Sequence, residues 1–246
     1  MAFYYCLLLD VDGTLLDFNA SEDAALRETL AHFSLPQTEE AVEAYHNINN
    51  ALWALLERGK LRQDKLVVQR FEKLLAAFGV KGNPARINDY YLTQLSQRAD
   101  VFPGAEETLQ ELAEVATLAV VSNGVERVQT GRLERSGLSR YFDGVFISGR
   151  VGASKPSRKI FDTALNTLGI ENRQKVLMIG DSLKADIAGG QNAGIDTCWC
   201  NFENAALPAD APKPTHMIRG YEELLRIVME EEELANAGSK EKRHQV

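Results

Sequence analysis

The sequence predicts an α/β fold, a doubly wound parallel sheet with a helical cap inserted after its first strand. Three observations predict it. Five short apolar runs lack polar alternation, as strands covered on both faces do. Helix-spaced stretches with glycine stops lie between the later runs. One long segment, from about Ser21 to Gln97, carries no convincing strand pattern at all.

The elements follow in order. Phe3 to Leu9 is the first strand. No Lys or Arg precedes its apolar run and no small-residue cleavage site follows, so it reads as a strand rather than a signal peptide. In the long segment apolar residues recur at helical spacing: Ala51, Leu52, Leu55 and Leu56, then Leu66, Val67, Phe71, Leu74, Leu75 and Phe78. Pro36, Gly59 and the stretch from Gly79 to Pro84 divide it into about four helices. The helical cap is therefore placed at 18–97 and the sheet domain at 1–17 and 98–229. A helix at 105–114 begins just after Pro103. Strands follow at 118–121, 144–147, 176–179 and 195–200, with helices at 125–136, 157–168 and 183–193 between them. Gly137, Gly169 and Gly194 follow those three helices, where a left-handed terminal residue is wanted. Residues 230–246 hold an acidic run and few apolar residues, and are expected to be a disordered tail.

Composition narrows the function. The chain has 246 residues, 45% apolar and 25% charged, with a formal net charge of −8. An acidic protein repels nucleic-acid polymers and anionic membranes. No apolar run is long enough to span a bilayer. The expectation is a cytoplasmic protein. Cys6, Cys198 and Cys200 have no metal-type spacing and read as buried thiols.

Four places carry candidate chemistry. The first strand ends in Asp10-Val11-Asp12-Gly13-Thr14-Leu15. Two carboxylates at a strand exit can share a hard divalent cation, or act as nucleophile and acid/base; the alternative is an ordinary Asp-Gly turn. Ser122-Asn123-Gly124 leads into a helix and offers a hydroxyl and amides to an anion, or simply caps the helix. Lys155-Pro156 precedes another helix, with an ammonium suited to phosphate or to solvent. Ile179-Gly180-Asp181-Ser182 delivers another acid at a strand end, and Asp186 follows about one and a half helical turns on. All four fall at or just after expected carboxyl ends of parallel strands, where such sheets bind ligands. Together they form a set that phosphoryl transfer can use.

The set D-x-D-G-T-L, apolar-S-N, K-P and G-D-S-x-x-x-D resembles the haloacid dehalogenase superfamily, over about Phe3 to Val228. That resemblance implies a Rossmann-like core and a phosphatase mechanism. Asp10 becomes the aspartyl-phosphate, and Asp12 protonates the leaving oxygen and then takes a proton from water. Ser122 and the backbone at Asn123 hold phosphate oxygens, Lys155 balances charge, and Thr14 helps position Asp12. The resemblance further implies Mg²⁺, with Mn²⁺ as a substitute, held by Asp10, the Asp12 carbonyl and Asp181, with Asp186 as a further ligand or as a support behind them. Dehalogenases of the superfamily lack an acid at the position of Asp12, so its presence argues for phosphate chemistry.

A closer resemblance rests on Tyr45, Asn49, Leu52, Trp53, Gly59 and Arg70-Phe71. It extends to the run Arg132-Leu133-Glu134-Arg135-Ser136-Gly137-Leu138, then Tyr141-Phe142-Asp143, Val151-Gly152 and Thr197-Cys198-Trp199. This is similar to the bacterial noncanonical pyrimidine 5′-nucleotidase family. It implies hydrolysis of pyrimidine nucleoside monophosphates such as dUMP, dTMP and UMP, in a house-cleaning role. Asn49 and Trp53 lie four apart on one helix face and could bind a base, or could be cap surface and cap core. Arg70 is expected to be solvated. The expected partner is a small phosphomonoester, and the expected state a monomer or weak homo-oligomer. The links near Asp17–Ala20 and Arg98–Val101 are expected to act as hinges. A phosphatase for sugar phosphates, a phosphomutase and a non-enzymatic binding protein remain alternatives.

Overall fold

The structure is a computed structural model and describes residues 3–229. The tail expected at 230–246 lies outside the described residues. The chain divides into two compact units, described here over residues 3–229. One holds residues 3–15, 101–123 and 138–229, and the other 16–100 and 124–137.

The first unit is built on a parallel sheet. Its strands are β1 (Cys6–Leu9), β2 (Thr117–Ser122), β3 (Gly144–Ile147), β4 (Val176–Gly180), β5 (Asp196–Cys200) and β6 (His216–Ile218), in the spatial order β3-β2-β1-β4-β5-β6. β1 lies between β2 and β4, with Leu8 opposite both Ala119 and Met178. The residue after β1 therefore leaves from mid-sheet, where strand order reverses and ligands collect at the carboxyl ends. Alternate residues build one face of the core: Cys6 and Leu8, Ala119 and Val121, Val176 and Met178 pack with Ile160, Phe161, Ala164 and Leu165 of the helix Arg158–Thr167. Leu7, Leu9, Leu118, Val120, Leu177 and Ile179 point the other way and are equally buried. Burial on both faces is what the unalternating apolar runs require.

The five expected strands are present within a few residues. β6 escapes sequence reading because it is three residues long and only Ile218 of it is buried. The helix expected at 183–193 is tighter in its second half only: residues Leu183–Ile187 form a wide π-type turn before the regular Ala188–Ala193. Residues 221–229 add a further helical run. All three cysteines are free and buried. Burial pushes the Cys6 and Cys198 thiols up to about 12, which leaves them unreactive.

The second unit is helical: α1 (Phe18–His32), α2 (Glu39–Glu57), α3 (Gln63–Ala77) and α4 (Pro84–Ser96), joined by the later helix α6 (Glu126–Ser136), with α5 (Ala105–Ala113) belonging to the sheet unit. Side-chain caps open three of them, Asp17 for α1, Thr38 for α2 and Asn83 for α4. Leu26, Leu30, Tyr45, Phe71, Leu74, Ile87 and Tyr91 form its core.

Residues 124–137, expected in the sheet domain, group instead with these helices. The reason is local packing. Gly131 lies so close to α4 that a Cβ there would sit 2.9 Å from the Ser96 carbonyl oxygen. The Arg132 guanidinium donates to the Arg98 carbonyl (3.1 Å) and to Ser21 Oγ (3.3 Å). Val128 completes the apolar cluster.

Arg70, expected at the surface, is buried. It donates to Asn49 Oδ1 (3.3 Å), Asn88 Oδ1 (2.8 Å) and the Val67 carbonyl (3.2 Å), and its guanidinium lies 4.6 Å from the Tyr91 ring centroid. Hydrogen bonds and aromatic faces together compensate its desolvation.

Candidate active site

Asp10, Lys155, Asp181 and Asp186 come together at the carboxyl ends of the central strands β1 and β4, and Ser122 ends the neighbouring β2. β1 delivers Asp10, whose amide donates to the Ile179 carbonyl (2.9 Å). The chain then turns sharply, with Leu15 N bonded to the Val11 carbonyl (2.8 Å). Gly13 has φ +75°, and a Cβ on it would lie 2.5 Å from Asp181 Oδ2. Both its backbone and the neighbouring acid exclude a side chain there. Asp12 is half-buried on this turn, and Thr14 is buried.

β2 delivers Ser122 and Asn123. The Asn123 side chain holds the segment carrying Lys155 by both polar atoms: Oδ1 accepts from Lys155 N (2.7 Å) and Nδ2 donates to Lys155 O (2.9 Å). Ser148 Oγ in turn donates to the Asn123 carbonyl (3.2 Å). The Lys155 ammonium is 1% exposed and lies 2.6 Å from Asp10 Oδ1 and 2.6 Å from Asp186 Oδ1. Burial alone would push its pKa down; the Asp10 and Asp186 carboxylates outweigh that and hold it above the usual lysine value.

β4 delivers Asp181, and the turn after it delivers Asp186. A Cβ on Gly180 would sit 2.2 Å from Asp186 Oδ2, so the strand end has to be glycine for Asp186 to fold back over it. Asp186 Oδ2 also accepts from Ser182 N (2.9 Å). Trp199 Nε1, from β5, donates to the Asp181 carbonyl (2.8 Å) and fixes that backbone from the side.

Oxygens of Asp10, Asp181 and Asp186 lie within 4.8 Å of one another. Burial, partly offset by Lys155 and increased by Asp10, raises the Asp186 carboxyl to about 6. The Asp181 side chain reaches solvent on one side; close protein on its other sides, then the Asp186 and Asp10 carboxylates, hold it well above the usual carboxylate range. Three hard oxygen donors crowded against their own repulsion fit a small divalent cation, whose charge would relieve that crowding.

Asn49 and Trp53 belong to the helical unit. Asn49 is buried, and both ends of its amide are engaged, Nδ2 donating to Glu22 Oε1 (3.0 Å) and Oδ1 accepting from Arg70. A ligand contact by this amide would have to replace one of those bonds. Trp53 is half-buried beside Leu52, Leu56 and Leu66.

Sequence reading missed the side-chain role of Asn123 and the supports from Ser148 and Trp199. Each acts through hydrogen bonds to residues distant in the chain, which leave no local pattern to read.

Residues 7–200 match the family described as haloacid dehalogenase-like hydrolase. The chain belongs to the haloacid dehalogenase-like hydrolases. Within this family it is 38% identical, over 224 residues, to the pyrimidine 5′-nucleotidase PynA of Streptococcus pneumoniae (strain ATCC BAA-255 / R6), covering 91% of this chain and 94% of PynA. It is 33% identical to the pyrimidine 5′-nucleotidase YjjG of Escherichia coli (strain K12), covering 90% and 96% of the two chains. YfnB of Bacillus subtilis (strain 168) is 37% identical over 93% of this chain and 97% of its own. A crystal structure of YfnB bound to magnesium superposes with a TM-score of 0.84, covering 91% of this chain and 98% of that one. The protein is thus a haloacid dehalogenase-like phosphatase, a phosphoric monoester hydrolase.

Proposed function

We propose that the protein is a Mg²⁺-dependent phosphatase that hydrolyses pyrimidine nucleoside 5′-monophosphates, such as dUMP, dTMP and UMP, through an aspartyl-phosphate on Asp10. The observation that carries the chemistry is the position of Lys155. Its buried ammonium touches Asp10 and Asp186 at 2.6 Å each, beside an acid cluster that only a cation balances. The substrate class rests on PynA and YjjG, both named pyrimidine 5′-nucleotidases.

In the first step a carboxylate oxygen of Asp10 attacks phosphorus. The phosphorus–oxygen bond to the nucleoside breaks, and Asp12 gives its proton to the departing 5′-oxygen. Ser122 Oγ and the Asn123 amide hold the non-bridging oxygens, and Lys155 offsets their charge. In the second step Asp12 takes a proton from water, the water oxygen attacks phosphorus, and phosphate leaves as the Asp10 carboxylate is restored. Asp10, Asp181, Asp186 and the Asp12 carbonyl would hold Mg²⁺, or Mn²⁺ in its place. Such an ion would neutralise the phosphoryl oxygens that these acids otherwise repel.

This activity suits house-cleaning of abnormal pyrimidine nucleotides by a cytoplasmic monomer or weak homo-oligomer. The test is a panel of initial rates on nucleoside monophosphates and sugar phosphates, with Mg²⁺ and with chelator. Turnover fastest on dUMP or dTMP and lost with chelator is the expected result. Faster turnover of sugar phosphates refutes the nucleotide assignment, and phosphoryl transfer to an acceptor sugar in place of free phosphate marks a mutase. Asp10→Asn is expected to abolish phosphate release while the protein keeps its circular dichroism; an active variant refutes the nucleophile.

A further inference from the structure

We propose that Tyr221 is a positioning residue for the general acid Asp12, holding the catalytic turn through the Thr14 carbonyl. The inference rests on the phosphatase reading above. Tyr221 stands 207 residues from Thr14 along the chain, yet its buried hydroxyl donates to Thr14 O at 2.5 Å. It is the only hydrogen bond to the Thr14 carbonyl recorded among the described residues, and the Thr14 hydroxyl, fully buried, makes none of its own. The turn from Val11 to Leu15 is also tied by Thr14 N (3.4 Å) and Leu15 N (2.8 Å), both to the Val11 carbonyl, and by the Leu15 carbonyl to Phe102 N (3.0 Å). Its middle carries Asp12, Gly13 and Thr14, and Gly13 is the most pliant residue a chain can place there. Tyr221 therefore adds, from outside the turn, a restraint on the residue that follows this glycine.

The tyrosine is itself well anchored. Its ring packs 5.1 Å from that of Phe202, which lies 5.8 Å from Phe102. An aromatic row thus runs from the start of the 221–229 helix to the same Phe102 whose amide binds the turn. A donor fixed this firmly sets the carbonyl direction at residue 14, and with it the orientation of the peptide chain two residues back at Asp12.

The consequence is specific to proton donation. An alkoxide leaving group needs the proton of Asp12 in the first step; a nitrophenolate leaves without it. Tyr221→Phe, which removes one oxygen atom, should depress kcat/KM on dUMP by about fivefold or more while changing kcat/KM on p-nitrophenyl phosphate by less than about twofold. The full chain is assayed with Mg²⁺, and the ratio of the two values is read from one sample, so that any inactive fraction cancels. Phe202→Leu loosens the same packing but keeps the hydroxyl, and should shift the ratio by less than Tyr221→Phe does.

An equal loss on both substrates overturns the proposal, because it marks a structural hydroxyl. So does a ratio shift in Phe202→Leu as large as in Tyr221→Phe, or a Tyr221→Phe chain that no longer folds by circular dichroism. The wild-type control separates this from the underlying reading. If wild type hydrolyses neither substrate, the phosphatase reading fails. If it hydrolyses p-nitrophenyl phosphate but not dUMP, the fastest sugar phosphate serves as the alkyl arm and the comparison stands.

Discussion

Replacing Lys155 by Met tests the centre of the site. The substitution keeps an unbranched stem and removes the ammonium that touches Asp10 and Asp186 at 2.6 Å each. At that distance and an effective dielectric constant of about 20, each contact is worth about 6 kcal/mol of gross attraction. Most of this is offset by the cost of burying three charges, so the net loss expected on breaking a buried pair is about 3–5 kcal/mol. In urea unfolding without added metal, Lys155→Met should lose about that much stability. In activity the effect should be separate and larger. The phosphoryl oxygens lose a preorganised cation, so kcat should fall about 10²–10³-fold at saturating Mg²⁺. Steady-state rates on dUMP, at a urea-free temperature where both proteins are folded, give the comparison. A variant within threefold of wild type in kcat would refute the assignment of Lys155 to the reacting phosphate.

Two further predictions concern the helical unit. Arg70→Met leaves Asn49 Oδ1 and Asn88 Oδ1 without their donor, and should destabilise the protein by about 2–6 kcal/mol in urea unfolding, at about 1–3 kcal/mol per unpaired group; a change under 1 kcal/mol would contradict the network. The His46 imidazole lies 3.2 Å from Glu22 Oε2, and that hydrogen bond, opposed by partial burial and aided by the Glu22 and Asp23 charges, raises its pKa above the usual histidine value. A raised histidine adds stability that is fully present below its unfolded pKa and disappears as pH rises through its folded one. The urea midpoint of wild type should therefore exceed that of His46→Gln by more at about pH 6 than at about pH 8.5. A pH-independent difference would show that the imidazolium–Glu22 contact adds nothing.

How much of this was legible in the sequence depends on the range of the interaction. The strands 118–121, 144–147 and 176–179 were readable because burial on both faces forces unbroken apolar runs, a local signal. The clustering of Asp10, Asp181, Asp186 and Lys155 was readable because each lies in a short motif at or just after an expected strand end. β6 was not, since its pairing with β5 is carried by backbone bonds that any three residues can make. Nor was the grouping of 124–137 with the helices. That stretch is rich in Arg, Glu and Gln, and its partners Ser21, Ser96 and Arg98 are far away in the chain. Arg70 read as a surface residue because an isolated arginine gives no hint that two asparagines and a tyrosine ring await it. Tyr221 gave no hint for the same reason.

The placement of residues 124–137 has a consequence for engineering. The backbone crosses between the two units four times, after residues 15, 100, 123 and 137. Excising 16–100 as one cassette would strip the helices of the stretch that Gly131 and Arg132 fasten to them. A chimaera that exchanges the helical unit with that of a relative must therefore carry both segments, and its third splice falls directly behind Ser122 and Asn123. The helical unit therefore cannot be transplanted without cutting the chain immediately after the Ser122–Asn123 pair.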